Sequence, residues 1–332
     1  MRLVQLARSS ERRVAVVEGE HLKLLRDEVR SVFGLARQAI ESGVPLTSLV
    51  ETSAGRETLE YEPVYRGISQ WQLLPAFDHP QEPARCMVSG TGLTHKASAE
   101  NRAAMHNAKA EATDSFRMYQ MGLEGGNVRA GQIGVQPEWF YKGRGECLRA
   151  HNEPLEVPPY GWDGGEEPEI AGVYVIAPDA TPYRVGLTVA NEFSDHRMEK
   201  KNYLYLAPSK LRTCSIGPEL TIGDVDFESI QGSVSIARNG ATLWSKEIWT
   251  GQKNMSHSLA NLEHHHFKYA AHRRPGDAHV HFFGADAFSF GDGIALESDD
   301  VMEVSFPEFG RALRNPIRIS RGAETAVVTR VL

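Results

Sequence analysis

Cysteine is scarce in this 332-residue chain. Cys86, Cys147 and Cys214 are odd in number, far apart and outside any CxxC pair. A disulfide framework and a structural zinc site are thereby excluded as organising devices. An excess of basic charge is missing too: 36 Lys plus Arg stand against 43 Asp plus Glu, a net charge of −7. Such a chain has no counterion-release drive toward a phosphate backbone, so no nucleic-acid partner is expected. No stretch of about 18 apolar residues occurs, and charge interrupts the first eight residues before a signal-peptide core forms. No membrane partner is expected, and the reading is of a cytoplasmic protein. The GxGxxG, GxxxxGK[ST], GxSxG and HExxH patterns are also absent. Dinucleotide-binding, P-loop, serine-hydrolase and zincin readings lose their main support.

What is present is an ordinary globular composition, 41% hydrophobic and 24% charged. At about 150 residues per domain the length suggests two units. Apolar residues recur three and four apart over residues 22–40 (Leu22, Leu25, Val29, Val32, Phe33, Ala36, Ile40) and stop before Gly43 and Pro45. This spacing predicts an amphipathic helix. Residues 1–75 therefore read as a small N-terminal α/β module, and residues 78–83, rich in Pro, Asp and Gln, as a linker. Residues 76–332 read as one catalytic domain. Short β-rich runs dominate there, at 170–176, 183–190, 220–222, 232–237, 278–283 and 301–306, with helices at 97–120 and 258–271. No regular βαβ alternation appears, which argues against a doubly wound sheet or a TIM barrel. The expected fold class is α+β, mostly β, as a strand-dominated roll or barrel.

The strongest chemical signal is Glu167-Pro168-Glu169 at the head of an apolar run. On a strand both carboxylates point to one face, about 7 Å apart at Cα, so one cation can take an oxygen from each. The following run ends in Asn191-Glu192, and Glu192 can add a third oxygen. Three carboxylates without Cys or His suit a hard ion, Mg²⁺ or Mn²⁺. The duller alternative is a solvated acidic edge formed by Glu166, Glu167 and Glu169. Lys142, in an aromatic-rich run, and Lys210, in Ala207-Pro208-Ser209-Lys210, are each singular in their surroundings. A carboxylate site that admits an anionic substrate needs such lysines.

Taken in order, Pro137 to Lys142, Glu167-Pro168-Glu169, Gly186 to Glu192, Ser209-Lys210 with Gly217-Pro218, Pro275-Gly276-Asp277 and Phe309 to Asn315 resemble the fumarylacetoacetate hydrolase superfamily. The resemblance spans about residues 85 to 318. It implies a mixed β-roll that pairs as a homodimer, Mg²⁺ on Glu167, Glu169 and Glu192, and functional lysines at Lys142 and Lys210. The family's third ligand is usually Asp, and its His/Glu acid-base dyad follows a Gly-x-Asn-Tyr-x-x-His-x-x-Glu pattern. Here Ser98 takes the His position, so the dyad transfers to His95 and Glu100. Gly284-Ala285-Asp286 replaces a usual Gly-Thr pair.

The wording of Asn191-Glu192, Tyr203 to Lys210 and Asn254 to Ser258 resembles most the sugar-acid branch of the superfamily. That implies a hydro-lyase turning a 2-keto-3-deoxypentonate, a small 2-keto acid, into 2,5-dioxopentanoate through a metal-stabilised enolate. His95, Glu100 and Lys142 are the candidate acid/base groups. Lys210, with Lys142, is the candidate partner of the substrate carboxylate. The alternative is a hydrolase cleaving a 2,4-diketo-3-deoxy acid to pyruvate and a hydroxy acid, and a third reading is a non-catalytic binder. His279-Val280-His281 has a metal-site spacing and His264-His265-His266 lies nearby, but no βα series precedes them, so a structural role is expected.

Overall fold

The structure is a computed structural model that describes residues 1–105 and 113–332, with side chains described at 1–100 and 113–332. The N-terminal part runs β1 (Arg2–Arg8), β2 (Glu11–Glu18), β3 (His21–Leu25), α1 (Val32–Ser42), α2 (Leu46–Thr52), β4 (Ala54–Glu60), α3 (Tyr61–Tyr65) and β5 (Gln72–Leu73). The predicted helix over 22–40 is half right. Leu22, Leu24 and Leu25 belong to β3, where the two-residue step from Leu22 to Leu24 sends both into one core. The helix starts only after Ser31, whose hydroxyl caps it by accepting from Gly34 N. Gly43 ends it as expected, in the left-handed region at φ 66°.

The chain continues through β6 (Cys86–Gly90), α4 (Lys96–Met105), α5 (Asp114–Gly125), β7 (Phe140–Arg144), β8 (Leu148–Arg149), β9 (Leu155–Val157), β10 (Pro168–Ile176) and β11 (Pro182–Asn191). Then come α6 (His196–Lys201), α7 (Leu206–Lys210), β12 (Cys214–Thr221), β13 (Ile230–Arg238), β14 (Ala241–Thr250), α8 (Leu259–Phe267), β15 (Ala278–Phe282), β16 (Val301–Ser305) and β17 (Leu313–Ile319). The helix predicted over 97–120 is thus two helices, and its stretch 106–112 lies outside the described residues. The helix predicted over 258–271 is α8, capped by the Ser258 side chain.

The strands form two sheets. One follows the order β4-β3-β2-β1-β12-β11-β10-β15-β6-β7, with β5 on β1 and β8 on β12, and the other β14-β13-β16-β17-β9. Neither ladder closes on itself among the described residues. The class is therefore mostly β with mixed pairing, β15–β6 being parallel inside a largely antiparallel sheet. The N-terminal strands are hydrogen-bonded into the same sheet as the rest, through β1 on β12. Tyr61 Oη adds a buried tie by donating to Glu219 Oε1 at 3.0 Å.

The large sheet is covered on both sides. Val32, Phe33, Leu35 and Ala36 of α1 pack with Ala171, Val173, Val175, Ile216 and Val280 on one face. Ile170, Leu187 and Val189 meet Val234, Ile248, Val304 and Phe306 of the second sheet on the other. Burying each such side chain contributes roughly 1.5–3 kcal/mol. Every residue of β10 is buried, as a central strand covered on both faces requires.

Candidate metal centre and active site

Glu169 lies on the odd-numbered face of β10 with Ala171 and Val173, and Glu167 directly precedes the strand, so one row of side chains passes from apolar core to carboxylates at the strand's start. Antiparallel pairing with β11 sets Pro168 opposite Asn191, and Glu192 N donates to Glu167 O at 3.0 Å. Glu192 thereby arrives beside the pair. One oxygen from each of Glu167, Glu169 and Glu192 lies within 4.8 Å of the others, and all three residues are buried. The solvated-edge alternative fails on that burial. Glu166 points elsewhere, its carboxylate accepting from Ser289 N at 2.6 Å and Ser289 Oγ at 2.9 Å.

Two lysines lie against this cluster, both wholly buried. Lys142, on β7, places Nζ 2.6 Å from Glu192 Oε1 and donates to Phe193 O at 2.5 Å. Lys210, at the end of α7, donates to Glu167 Oε1 at 2.7 Å, Glu192 Oε2 at 2.6 Å and Ser194 Oγ at 2.8 Å. Asp195 anchors this region by capping α6 through Met198 N and pairing with Arg212 at 2.9 Å. Ser209 Oγ is fixed on Glu199 Oε1.

The electrostatics follow from burial against this cationic support. Burial pushes Glu169 well above the usual carboxylate range, and the charges of Glu192 and Glu167 push it further. Burial raises Glu192 to about 7, although Lys142 and Lys210 pull it down. Glu167 is different: burial is outweighed by Lys210 and by a hydrogen bond from His196, and its carboxyl is held well below the ordinary value. With all three carboxylates ionised the cluster would hold one more negative charge than its two lysines balance, and burial together with that crowding favours the neutral form of Glu169. The convergent all-oxygen donor set and the Glu192 Oε1 atom, which meets Lys142 without a well-directed hydrogen bond, fit a hard divalent ion.

His196 escaped the sequence reading. Its Nε2 lies 3.1 Å from Glu167 Oε1, and its ring stacks on Phe288 at 4.7 Å. Burial lowers its pKa, but Glu167 and Glu199 more than compensate, and the net shift is upward. The signal was its place just after Asn191-Glu192-Phe193-Ser194-Asp195.

His95 is buried just ahead of α4. Its Nδ1 lies 2.9 Å from Thr94 Oγ1, and Thr94 spends its only hydroxyl proton on Phe283 O at 2.7 Å. Nδ1 is therefore the donor, which assigns the lone pair to Nε2, facing Thr250 Oγ1 at 3.2 Å. Burial takes its pKa down to about 4, with a small opposing effect from Asp286. Thr94 also packs against Gly284, where a side-chain carbon would collide with its hydroxyl, and Gly284 N donates to Glu169 Oε2 at 2.6 Å. His95 is thus joined to Glu169 through two intermediaries, Thr94 and Gly284. Glu100 is not its partner: it is exposed and pairs with Lys96 at 3.2 Å. Five residues along a helix turn it by about 500°, well off the face that follows His95.

No protein-family model matches this chain, and no curated protein matches it. Solved structures do match its fold. A 2-keto-3-deoxyarabinonate dehydratase superimposes with a TM-score of 0.70 at 17% identity, covering 97% of this chain and 100% of that one. A 2-keto-3-deoxy-D-arabinonate dehydratase complexed with magnesium and 2,5-dioxopentanoate gives the same values. A 5-carboxymethyl-2-hydroxymuconate delta-isomerase from Mycobacterium smegmatis matches with a TM-score of 0.58 at 15% identity, covering 96% and 100%. The chain shares the fold of these dehydratases and of this isomerase. No helix among the described residues is long and apolar enough to cross a membrane.

The HxH pair is structural. His281 sits between Ser89 Oγ at 2.9 Å and Thr91 Oγ1 at 3.0 Å, and His279 Nδ1 meets His266 Nε2 at 3.0 Å. Among the described residues the three glutamates are the one group that converges as metal ligands.

Proposed function

We propose that this protein is a Mg²⁺-dependent hydro-lyase that removes water from a 2-keto-3-deoxypentonate to give 2,5-dioxopentanoate. The observation that carries the reading is the buried Glu167/Glu169/Glu192 cluster braced by Lys142 and Lys210, in the fold of a dehydratase crystallised with magnesium and 2,5-dioxopentanoate. A divalent ion held by these carboxylates supplies Lewis-acid polarisation of a 2-keto oxygen, which acidifies the C3 protons.

The chain's own residues then have distinct tasks. Lys210 and Lys142 favour the charged forms of Glu167 and Glu192, since their donors point at these carboxylates. This replaces the sequence-based expectation that Lys210 meets the substrate carboxylate. His95, neutral with its lone pair on Nε2 beside Thr250 Oγ1, takes a C3 proton, and Thr94 holds its ring. The C4 hydroxyl leaves with a proton as one water, a hydrogen moves from C5 to C3, and the resulting C4–C5 enol tautomerises to the aldehyde as its hydroxyl proton is lost and C4 gains one. Glu100 drops out of the proposed site. The reading carries with it a homodimer and a place in pentose breakdown.

The test is incubation of purified protein and Mg²⁺ with a 2-keto-3-deoxypentonate and, separately, with a 2,4-diketo-3-deoxy acid. A semialdehyde product from the first supports the reading. Pyruvate from the second alone makes the protein a hydrolase, and no product from either makes it a binder.

A further inference from the structure

The proposed chemistry leaves one pair of reactive side chains unused. Cys147 Sγ lies 3.8 Å from Cys214 Sγ, although 67 residues separate them in the chain. Cys147 ends a single 3₁₀ turn, Gly145–Cys147, directly after β7. Cys214 opens β12, where it pairs in parallel with Leu148 of β8. The two thiols differ in access. Cys147 is half-buried and lines a cavity of about 340 Å³ with Lys142, Arg144, Glu146 and Arg212, whereas Cys214 is fully buried. The half-buried thiol also has the lower pKa: a hydrogen bond from Cys214 draws it down against burial, helped by Lys142 and Arg149, while burial pushes Cys214 well up. A half-buried thiol at a cavity wall, backed by a buried second thiol within contact distance, is the arrangement in which oxidation ends as a disulfide.

We propose that Cys147 and Cys214 form a peroxide-oxidisable pair whose closure to a disulfide displaces Lys142 from Glu192. The Cys147 thiolate attacks the peroxide, a sulfur–oxygen bond forms, the oxygen–oxygen bond breaks, and the departing hydroxide takes a proton to leave as water. The Cys214 thiol then gives up its proton, its sulfur attacks that of Cys147, and the sulfenic hydroxyl leaves with that proton as a second water. Two thiols and one hydrogen peroxide thus give one disulfide and two waters.

A disulfide needs sulfurs about 2.05 Å apart, so they must approach by about 1.7 Å. β12 is held by β1, β11 and β8, and the turn carrying Cys147 is the part able to give way. That turn rests on Gly143, where a side-chain carbon would lie 3.3 Å from Cys147 Sγ. Gly143 adjoins Lys142, so the movement is passed to the Nζ that braces Glu192.

The coupling to Lys142 rests on the metal reading above; disulfide formation does not. The full-length protein is treated with equimolar hydrogen peroxide and mapped by non-reducing peptide mass analysis. The expected product is a 147–214 cross-link, two hydrogens lighter and reversed by dithiothreitol. Cys214→Ser should stop at a sulfenic acid on Cys147 that dimedone traps, and Cys147→Ser should give no product. Mg²⁺ titration of thermal unfolding should show about tenfold weaker binding after oxidation, restored on reduction. Conversion of Cys147 to a sulfinic acid, or a cross-link to Cys86, overturns the pair. A mapped disulfide with unchanged Mg²⁺ affinity overturns the displacement of Lys142. If neither redox state binds Mg²⁺, the metal reading and the coupling fall together, and the peptide map alone decides the pair.

Discussion

Lys210 Nζ lies 2.7 Å from Glu167 Oε1, and neither group is reached by water to any useful degree. The same Nζ meets Glu192 at 2.6 Å, so one buried cation serves two of the three candidate ligands. The site is therefore assembled before any ion arrives, with the lysine fixed in place by Ser194 as well.

Lys210→Met should cost about 3 to 5 kcal/mol of stability in metal-free protein, because buried Glu167 loses its lysine and Glu192 is left with Lys142 alone. Added Mg²⁺ should recover part of the loss by supplying that charge. Chemical denaturation with and without the ion measures both effects. A variant as stable as the parent without Mg²⁺ would show that the pair does not compensate those carboxylates.

Glu169→Gln keeps a carbonyl oxygen for Gly284 N but removes the charge, and should weaken Mg²⁺ binding while leaving the fold intact. His196→Ala removes the ring that orients Glu167 and should weaken it by about tenfold, the scale seen when a ligand loses its hydrogen-bonded support. Calorimetric titration of both variants reads this directly; unaltered affinity in Glu169→Gln would remove that carboxylate from the ligand set.

The carboxylate triad was legible because strand alternation converts a one-residue gap into a shared face, and the Asn191-Glu192 end of the next strand falls beside it by simple hairpin pairing. The N-terminal helix was misplaced because Leu22, Leu24 and Leu25 satisfy a helical spacing and a strand spacing equally well. Tertiary pairing with β2 and β4 decided between them. His196 was missed because its one local signal, a place just after Asn191 to Asp195, does not say that the ring faces a carboxylate 29 residues earlier. The partners of His95 were beyond reach for the same reason: Thr250 lies 155 residues away.

If His95 is the base, the acid limb of the kcat profile should lie near 4, where burial places it, and not near the ordinary histidine value of about 6.5. Activity should persist through pH 5 to 6 and fall below that as Nε2 takes a proton. His95→Asn should lower kcat by about 10² to 10⁴ with Mg²⁺ affinity unchanged. A limb that survives in this variant would assign the proton transfer to another group.

The histidine cluster behind the site sets a second pH dependence, this one in stability. Trp139 Nε1 donates to His266 Nδ1 at 3.2 Å, so the His266 proton sits on Nε2 and passes to His279 Nδ1 at 3.0 Å. Charging His266 would turn an N–H toward the tryptophan N–H. Burial holds His266 well below its ordinary value and takes His279 and His281 to about 3. In the unfolded chain each protonates near 6.5. Between those values the unfolded state binds protons that the folded state refuses, so stability present above about pH 6.5 is lost as the pH falls toward 3. His281→Gln offers Ser89 and Thr91 a donor and an acceptor without a titrating ring. Between pH 7 and 4.5 the variant should lose about 1 to 2 kcal/mol less stability than the parent, measured by urea unfolding at both values. Parallel losses in the two proteins would mean that His281 protonates equally well folded and unfolded, and the acid sensitivity would then rest with His266, His279 and the low-titrating Glu167.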